Sequence, residues 1–128
     1  MKKIPRIDIL YEDKDIFAFL DISPVNIGHT LVIPKKHCKN LLDCDDETLY
    51  KLNKAVKKIS KAVYKSTNAE GFNIGVNNFS GAGQIVEHLH FHIMPRHKND
   101  GFKLWEGKHV EDKHLKETSL KIRNLLKD

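Results

Sequence analysis

The sequence predicts an α+β fold in which a mainly antiparallel sheet packs around one long helix. Five short segments are rich in β-branched and aromatic residues and are bounded by turn-forming residues, a pattern typical of strands. A longer segment instead repeats its apolar residues every three or four positions, which indicates an amphipathic helix. Since no segment repeats and no low-complexity linker interrupts the chain, all 128 residues are expected to form a single domain, 1–128.

Three of the predicted strands precede the long helix. They span residues 7–12, 16–21 and 29–33. The first two are separated by Asp13 and Lys14 and therefore predict a hairpin. The turn-like residues 23–28 lead into the third strand, which Pro34 is expected to end because proline lacks the N–H that a strand donates.

The long helix is predicted to run from Asp45 or Asp46 to about Lys65. Its acidic start suits the positive end of the helix dipole. The apolar positions that define its buried side are Leu49, Leu52, Val56, Ile59 and Val63. Its lysines mostly fall outside this stripe, so we interpret them as a solvent-facing surface and not as a binding surface.

Two more strands and a second helix are predicted after the long helix. The strands span residues 71–77 and 88–94, and Pro95 is expected to end the second of them. The helix is predicted over residues 112–127, where three apolar residues fall on one side. These residues are Leu115, Ile122 and Leu126.

Charge and hydropathy exclude several classes of protein. The net charge of +5 and the pI near 9.2 would suit nucleic-acid binding, but the lysines are dispersed and no basic run is interleaved with aromatic residues. We therefore expect no nucleic-acid partner, although a positive field would help to gather anionic substrates. No apolar run approaches the roughly 20 residues that a membrane helix needs, so no membrane association is expected.

The amino terminus and the cysteines predict a cytoplasmic protein. Residues 1–6 are basic, but Asp8 and Glu12 follow them in place of the apolar stretch of a secretory signal. The two cysteines, Cys38 and Cys44, do not form a C-x-x-C pair. They therefore predict reduced thiols, and neither a disulfide framework nor a cysteine zinc site is indicated.

Three histidines alternate with large apolar residues in His88-Leu89-His90-Phe91-His92. Successive side chains of a strand point to opposite faces, so the histidines are predicted to share one face. The apolar residues between them would pack on the core and fix the backbone. Three imidazoles side by side bring no benefit to a strand, which favours a functional interpretation, either metal ligation or phosphate chemistry.

A catalytic interpretation assigns different tasks to these histidines. Neighbouring positive charge should lower the pKa of the central imidazole, His90, and keep it neutral and nucleophilic near pH 7. A flanking histidine would then donate a proton. The preceding residues 77–84 combine amide side chains with two glycines whose backbone N–H groups could approach a phosphate, which favours anion handling.

The motif around these histidines resembles the signature of the histidine triad (HIT) family of nucleotide hydrolases and transferases. It reads Gly83-Gln84-x-Val86-x-His88-x-His90-x-His92-x-x-Pro95-Arg96. A second, upstream stretch also resembles the family and reads Asp21-Ile22-Ser23-Pro24, then Gly28-His29-x-Leu31-Val32-Ile33-Pro34-Lys35-Lys36-His37. The resemblance covers about residues 7–97. It implies a HIT-like fold, a five-stranded antiparallel sheet with one long helix and a C-terminal helix, usually in a homodimer.

The resemblance also implies a role for each site residue. His90 matches the nucleophile that attacks the α-phosphorus, His92 a residue that contacts the phosphate and the leaving group, and His88 and His29 a supporting pair. The residues that match the nucleoside pocket are Phe19, Asp21, Ile22 and Leu31, with Asp21 as the ribose ligand. Those that match the phosphate side are Asn77, Gly83 and Gln84. No cofactor is implied.

The sequence departs from the family pattern at two points. Ile85 stands where many relatives carry a hydroxyl residue after the glutamine, which removes a polar group near the leaving group. Some bacterial relatives also begin with a C-x-x-C pair that helps to bind zinc together with histidines. This chain lacks that pair, so no metal site is expected.

These observations predict hydrolysis at the α-phosphate of adenosine 5′-phosphoramidates or adenylates through a nucleotidyl-histidine intermediate. The expected partner is a purine nucleotide, an AMP derivative. Hydrolysis of diadenosine polyphosphates is the alternative within the same chemistry, because the Pro95-Arg96 ending also occurs in that branch of the family. Two alternatives of other classes stay open: a nucleotide-binding regulatory protein with incidental activity, and a metal-binding module.

Overall fold

The computed structural model describes residues 8–127 and contains five strands and two long helices. The strands are β1 (Ile9–Glu12), β2 (Ile16–Leu20), β3 (Thr30–Pro34), β4 (Gly71–Gly75) and β5 (Phe91–Arg96). The helices are α1 (Asp46–Ser66) and α2 (Asp112–Leu125). All five strands join one antiparallel sheet in the order β1-β2-β3-β5-β4, which confirms the predicted α+β fold.

Strands β1 and β2 form the predicted hairpin, and residues 13–15 make the turn between them. The Asp13 carboxylate holds this turn by accepting hydrogen bonds from the backbone N–H groups of Asp15 (2.7 Å) and Ile16 (2.8 Å). The predicted start of the first strand at Ile7 lies outside the described residues, as do the basic residues at positions 1–6.

Helix α1 covers one face of the sheet. Asp45 caps its first turn by accepting from the Thr48 N–H (3.1 Å), so the helix begins as predicted. Its buried residues are Leu52, Ala55, Val56, Ile59, Ser60 and Val63. The apolar ones form one core with alternate residues of the sheet, among them Ala18, Val32 and Ile93, each 0% exposed. The other face of the sheet is therefore free to carry a site.

The two prolines expected to end strands are themselves paired residues of β3 and β5. Pro34 pairs with Ile16, and Pro95 pairs with Phe72. Strands β3 and β5 pair with each other only along Phe91 to Ile93 of β5, so each proline stands where its strand has a single neighbour. A missing N–H on the unpaired side breaks no ladder bond, so each strand can include its proline. Strand β3 ends at Pro34, as predicted, whereas β5 continues one residue beyond Pro95, so that predicted end is wrong.

Strands β4 and β5 are each shorter at one end than predicted. Strand β5 begins at Phe91 and not at residue 88, because the backbone N–H of Leu89 donates to the Cys38 carbonyl (2.7 Å), outside the sheet. Strand β4 ends at Gly75 and not at residue 77, because its pairing with β5 stops there.

The chain after β5 is exposed along its described length from residue 101 to 127. The predicted second helix is confirmed as α2, which ends at Leu125 instead of residue 127. The apolar residues on its predicted inner side, Leu115, Ile122 and Leu126, are 55%, 53% and 74% exposed. No helix within residues 8–127 is both long and apolar enough to cross a membrane.

Candidate active site

A row of residues crosses the sheet on the face opposite α1. Phe19 pairs with Leu31, Leu31 pairs with His92, and His92 pairs with Gly75, so the four lie side by side on β2, β3, β5 and β4. Their neighbours along the strands are core residues such as Val32, so the row points away from the helix. Two residues predicted for a nucleoside pocket are thus in line with a predicted catalytic histidine.

The alternation of the three histidines continues ahead of the strand to which His92 belongs. His88, His90 and His92 are half-buried, whereas Leu89 and Phe91 between them are only 1% and 7% exposed. The rings of His90 and His92 meet edge to face with their centroids 5.0 Å apart. The shared face predicted for the histidines is therefore present, although His88 and His90 lie in extended chain outside β5.

Hydrogen bonding determines which nitrogen of His90 carries its proton. The Nδ1 atom lies 2.7 Å from the carbonyl oxygen of His88. A carbonyl oxygen can only accept, so Nδ1 donates, and the neutral ring then keeps a free lone pair on Nε2. His90 is therefore arranged to act through Nε2 as a nucleophile or a base.

A second chain of hydrogen bonds determines the protons on His29 and His92. The backbone N–H of Val25 donates to His29 Nδ1 (3.0 Å), so the proton of the neutral His29 ring lies on Nε2. That atom lies 2.9 Å from His92 Nδ1 and donates to it, which leaves the proton of neutral His92 on Nε2. The Asp21 carboxylate completes the group, with Oδ2 3.7 Å from His29 Nε2.

Burial favours the neutral form of two of these rings. It lowers the pKa of His92 to about 4, assisted by positive charge on His90 and His29. It also lowers the pKa of His29, against the opposing effect of the Asp21 carboxylate. The sequence does not predict this pronounced lowering at His92, because its largest cause is burial, which only the folded chain defines.

We expect the free energy of unfolding to fall as the pH drops from 6.5 to about 4. In this window the unfolded chain protonates His92 and the folded protein does not, so protons favour the unfolded state. Urea unfolding at several pH values measures the slope. His92→Asn should flatten it, whereas His114→Asn on the exposed helix α2 should leave it unchanged. A slope that survives His92→Asn would assign the effect to other groups.

A largely apolar cavity of about 210 Å³ opens beside two of the triad histidines. Its lining residues are Phe19, Leu31, Ile33, Val86, His88 and His90. The sequence predicts Phe19 and Leu31 for a nucleoside pocket, and the structure places both in this wall. It does not predict Ile33, although a position two residues after Leu31 on one strand face could have indicated it. It does not predict Val86 either, although the alternation of His88, His90 and His92 extends back to this loop residue.

The other two residues predicted for the pocket lie outside this cavity. Ile22 is 78% exposed, so its side chain faces solvent. Asp21 is half-buried just after β2, where one carboxylate oxygen accepts from the Ser23 N–H (2.8 Å) and the other turns towards His29. Asp21 therefore belongs to the group around the histidines.

The loop of residues 77–84 is held by its own hydrogen bonds. Gly83 and Gln84 donate their backbone N–H groups to carbonyl oxygens earlier in the loop. The φ of Gly83 is +92°, a conformation that favours glycine. The Gln84 side chain is occupied as well, since its amide donates to the Lys39 carbonyl. Two of the predicted phosphate donors are thus engaged within the protein, while the exposed side chain of Asn77 lies beside Gly83.

His37 lies next to His88, a contact that the sequence does not predict. Their Nδ1 atoms are 3.3 Å apart, and the rings meet edge to face with centroids 5.1 Å apart. His88 Nε2 lies 2.9 Å from the Pro34 carbonyl oxygen and donates to it. His37 is exposed, and it also contacts the ring of a triad histidine.

Within the described residues, Asp21, His29 and His92 form a group that could hold a metal ion. Each offers one ligand atom, and these atoms lie within 4.8 Å of one another. The hydrogen bond between His29 Nε2 and His92 Nδ1 already joins two of the three, so a metal ion would have to displace its proton. One carboxylate and two imidazoles are ligands that a metal ion can use. The hydrogen bond between the two rings accounts for their arrangement without an ion.

The chain is similar to known proteins along most of its length. The HIT domain family matches residues 3–99. A HIT-like protein of Borreliella burgdorferi is 45% identical, over 94% of this chain and 89% of its own length. A crystal structure of a Streptococcus mutans protein superposes with a TM-score of 0.89 at 40% identity, covering 97% of this chain and 79% of that chain.

Two relatives have names that state an activity. An adenosine 5′-monophosphoramidase of Schizosaccharomyces pombe is 35% identical, over 86% of this chain and 81% of its own length. An adenylylsulfatase of Arabidopsis thaliana is 37% identical, over 84% of this chain and 53% of its own length.

Proposed function

The chain belongs to the HIT domain family, and from this premise we propose that it is a nucleotide hydrolase that cleaves adenosine 5′-phosphoramidates or adenylates at the α-phosphate. One observation carries the proposal. His90 has a free lone pair on Nε2, His92 has a proton on Nε2, and their ring centroids are 5.0 Å apart. Group transfer at phosphorus through a covalent intermediate uses such a nucleophile with a proton donor beside it. The names of the Schizosaccharomyces and Arabidopsis relatives support this class of substrate.

The nucleoside is proposed to bind in the cavity beside His88 and His90. Its apolar walls, which include Phe19 and Leu31, suit a purine ring held by stacking and shape. Asp21 lies outside this cavity, beside His29, and its carboxylate would accept hydrogen bonds from ribose hydroxyls that extend out of the cavity towards it. Because His90 lines the same cavity, a nucleotide bound in this way presents its α-phosphate to the proposed nucleophile.

The proposed reaction has two steps. First, His90 Nε2 attacks the α-phosphorus and forms an N–P bond, while the bond to the leaving group breaks and the departing atom takes a proton from His92. The anionic substrate favours the protonated form of the adjacent His92. The additional proton, taken up from solvent, goes to Nδ1, and the Nε2–H of His29 then turns from that atom to the Asp21 carboxylate, 3.7 Å away. Second, water attacks the phosphorus, the N–P bond breaks, AMP leaves, and His92 accepts the proton of the water.

Parallel assays of an adenosine phosphoramidate, an adenylate and a diadenosine polyphosphate test the proposal. Turnover of the phosphoramidate or the adenylate in preference to the dinucleotide supports it. Preferred turnover of the dinucleotide would assign the chain to the alternative substrate class. Binding of AMP without turnover of any of them would overturn the enzymatic proposal in favour of a nucleotide-binding regulatory role.

We expect full turnover in the presence of EDTA, because histidines supply both the proposed nucleophile and the proposed proton donor. Metal analysis of the dialysed protein should accompany this assay, since the group around Asp21 could hold an ion. Activity that chelation abolishes and zinc restores would contradict the metal-free reaction.

We expect the protein to be a homodimer. Strand β4 forms one edge of the sheet and exposes Phe72 and Ile74, at 41% and 43%. Helix α2 also exposes its apolar residues, and pairing of two copies would cover surfaces of this kind. Light scattering should therefore give twice the chain mass of 14.8 kDa at micromolar concentration. A mass equal to one chain would contradict the expectation.

We also propose that the protein is cytoplasmic and that residues 1–128 form a single domain. Its two cysteines, Cys38 and Cys44, are buried. The family match over residues 3–99 includes the whole sheet and α1, and α2 follows it.

A further inference from the structure

Asp100, in the turn after β5, is the centre of a hydrogen-bonded cluster at the end of that strand. Its carboxylate forms a two-pronged ion pair with Arg96, at 2.7 Å to Nε and 3.1 Å to Nη2. It also accepts from the backbone N–H groups of His97 and Phe102. The side chain is only 5% exposed, and the Arg96 guanidinium above all holds the pKa of this carboxyl well below its usual range. Asp100 is therefore a rigid, charged anchor.

Asn26 connects Asp100 to the loop that precedes His29 through hydrogen bonds. Its side-chain amide donates to Asp100 Oδ2 and to the Pro95 carbonyl oxygen, both at 2.9 Å. Asn26 lies between β2 and β3, whereas both acceptors lie at or just beyond the end of β5. The two hydrogen bonds therefore fasten the β2–β3 loop to a distant part of the chain.

The fastened loop makes two hydrogen bonds to His29. The backbone carbonyl of Asn26 accepts from the His29 N–H (3.0 Å), and the N–H of the preceding residue, Val25, donates to the ring at Nδ1 (3.0 Å). The second bond determines that the His29 proton lies on Nε2. Because this proton is donated to His92 Nδ1, it also determines that the His92 proton lies on Nε2. A shift of this loop would change that arrangement without any movement of β3 or β5.

We propose that Asn26 and Asp100 are positioning residues, which hold the Val25 N–H against His29 and so keep the His29–His92 pair in one proton arrangement. Neither residue lines the cavity beside His90, so their effect should fall on turnover and not on nucleotide binding. The expected effect on turnover rests on the proposed function. The proton arrangement itself can be measured without any substrate.

Asn73 on β4 provides a matched control for Asn26. It accepts from Arg96 Nη1 at 2.8 Å, so its hydrogen bond to the cluster is as short as those of Asn26. Its loss would remove a contact of the cluster and leave the link between Asn26 and Asp100 in place. Comparison of Asn26→Ala with Asn73→Ala therefore separates positioning of the loop from a general weakening of the cluster.

The first measurement follows the ring nitrogens of His29 and His92 by NMR across the acidic and neutral range. The titratable groups that face this pair are Asp21 and His90. Wild-type protein should show His29 protonated on Nε2 and His92 neutral down to a pH of about 4. Asn26→Ala should give mixed tautomers on His29 and move the titration of His92 to higher pH, because a loosened loop admits water. Asn73→Ala should behave as the wild type.

The second measurement is turnover of an adenosine phosphoramidate. Asn26→Ala should lower kcat about tenfold and change KM less than about threefold, whereas Asn73→Ala should stay within about twofold of the wild type. Asn26→Ser, which is too short to reach Asp100, replaces the alanine variant if that one folds poorly. Equal effects of the Asn26 and Asn73 variants, or unchanged tautomers in the Asn26 variants, would overturn the positioning role. If the wild type turns over no substrate, the proposed function fails and the ring measurement still decides the positioning role.

Discussion

Replacement of His90 by asparagine is expected to abolish turnover and to leave nucleotide binding nearly unchanged. Asparagine can still donate to the His88 carbonyl in place of Nδ1, but its amide nitrogen has no lone pair that can form the N–P bond. The loss in kcat should be roughly 10³-fold or greater, as for removal of a nucleophile. AMP affinity should change by less than about threefold, because the apolar walls at Phe19 and Leu31 stay in place.

Acid quenching during turnover gives an independent measurement of the same role. Mass spectrometry of the quenched wild-type protein should find AMP on residue 90, and His90→Asn should carry no adduct. The control is His114→Asn on the exposed helix α2, which should keep both adduct and turnover. Substantial turnover by His90→Asn, or an adduct on His88 or His92, would show that another histidine is the nucleophile.

The elements that the sequence predicts well are those with local causes. Helix α1 follows from an apolar stripe with a period of three to four residues and from the capping carboxylate of Asp45, both of which are visible in one segment. The hairpin of β1 and β2 likewise follows from Asp13 in its turn. Packing on the sheet then buries the predicted stripe, so the local and tertiary preferences agree.

The strand ends near the histidines depend on partners that are distant in sequence. Pro34 and Pro95 are tolerated because β3 and β5 do not pair with each other at those positions, and no local pattern contains that information. The start of β5 at Phe91 likewise depends on the hydrogen bond from Leu89 to Cys38. Periodicity therefore predicts which residues share a face but not where the pairing stops.

The candidate site likewise contains features that local sequence predicts and features that depend on distant residues. The alternation from His88 to His92 and the pairing partners Phe19 and Leu31 are recoverable from periodicity and motif. The hydrogen bond between Asn26 and Asp100 joins residues 74 positions apart, so no local signal marks it. The low pKa of His92 has burial as its largest cause, which only the folded chain defines. The roles assigned to the site residues stay predictions until the His90 variant is measured.

Gly28→Ala is expected to be the most destabilising of the substitutions considered. Gly28 has a φ of +100°, and a Cβ at this position would lie 2.6 Å from Thr67 Cγ2 and 3.4 Å from Pro95 Cγ. Thr67 cannot easily turn away, because its hydroxyl donates to the Val63 carbonyl (2.8 Å). Backbone strain of about 1–3 kcal/mol and overpacking of about 1–3 kcal/mol should together remove about 3 kcal/mol of stability.

Urea unfolding measures this loss, and Gly107→Ala is the control, since a Cβ there would meet nothing within 4 Å. Thr67→Ser removes the clashing methyl group and keeps the hydroxyl that bonds Val63. In the double variant Gly28→Ala/Thr67→Ser the overpacking part of the lost stability should be recovered, while the strain of the positive φ stays.

Because Gly28 adjoins His29, the single variant should also lower turnover at temperatures where it is still folded. If Gly28→Ala unfolds at the same urea concentration as Gly107→Ala, the close approach of Thr67 is not a constraint on the β2–β3 loop.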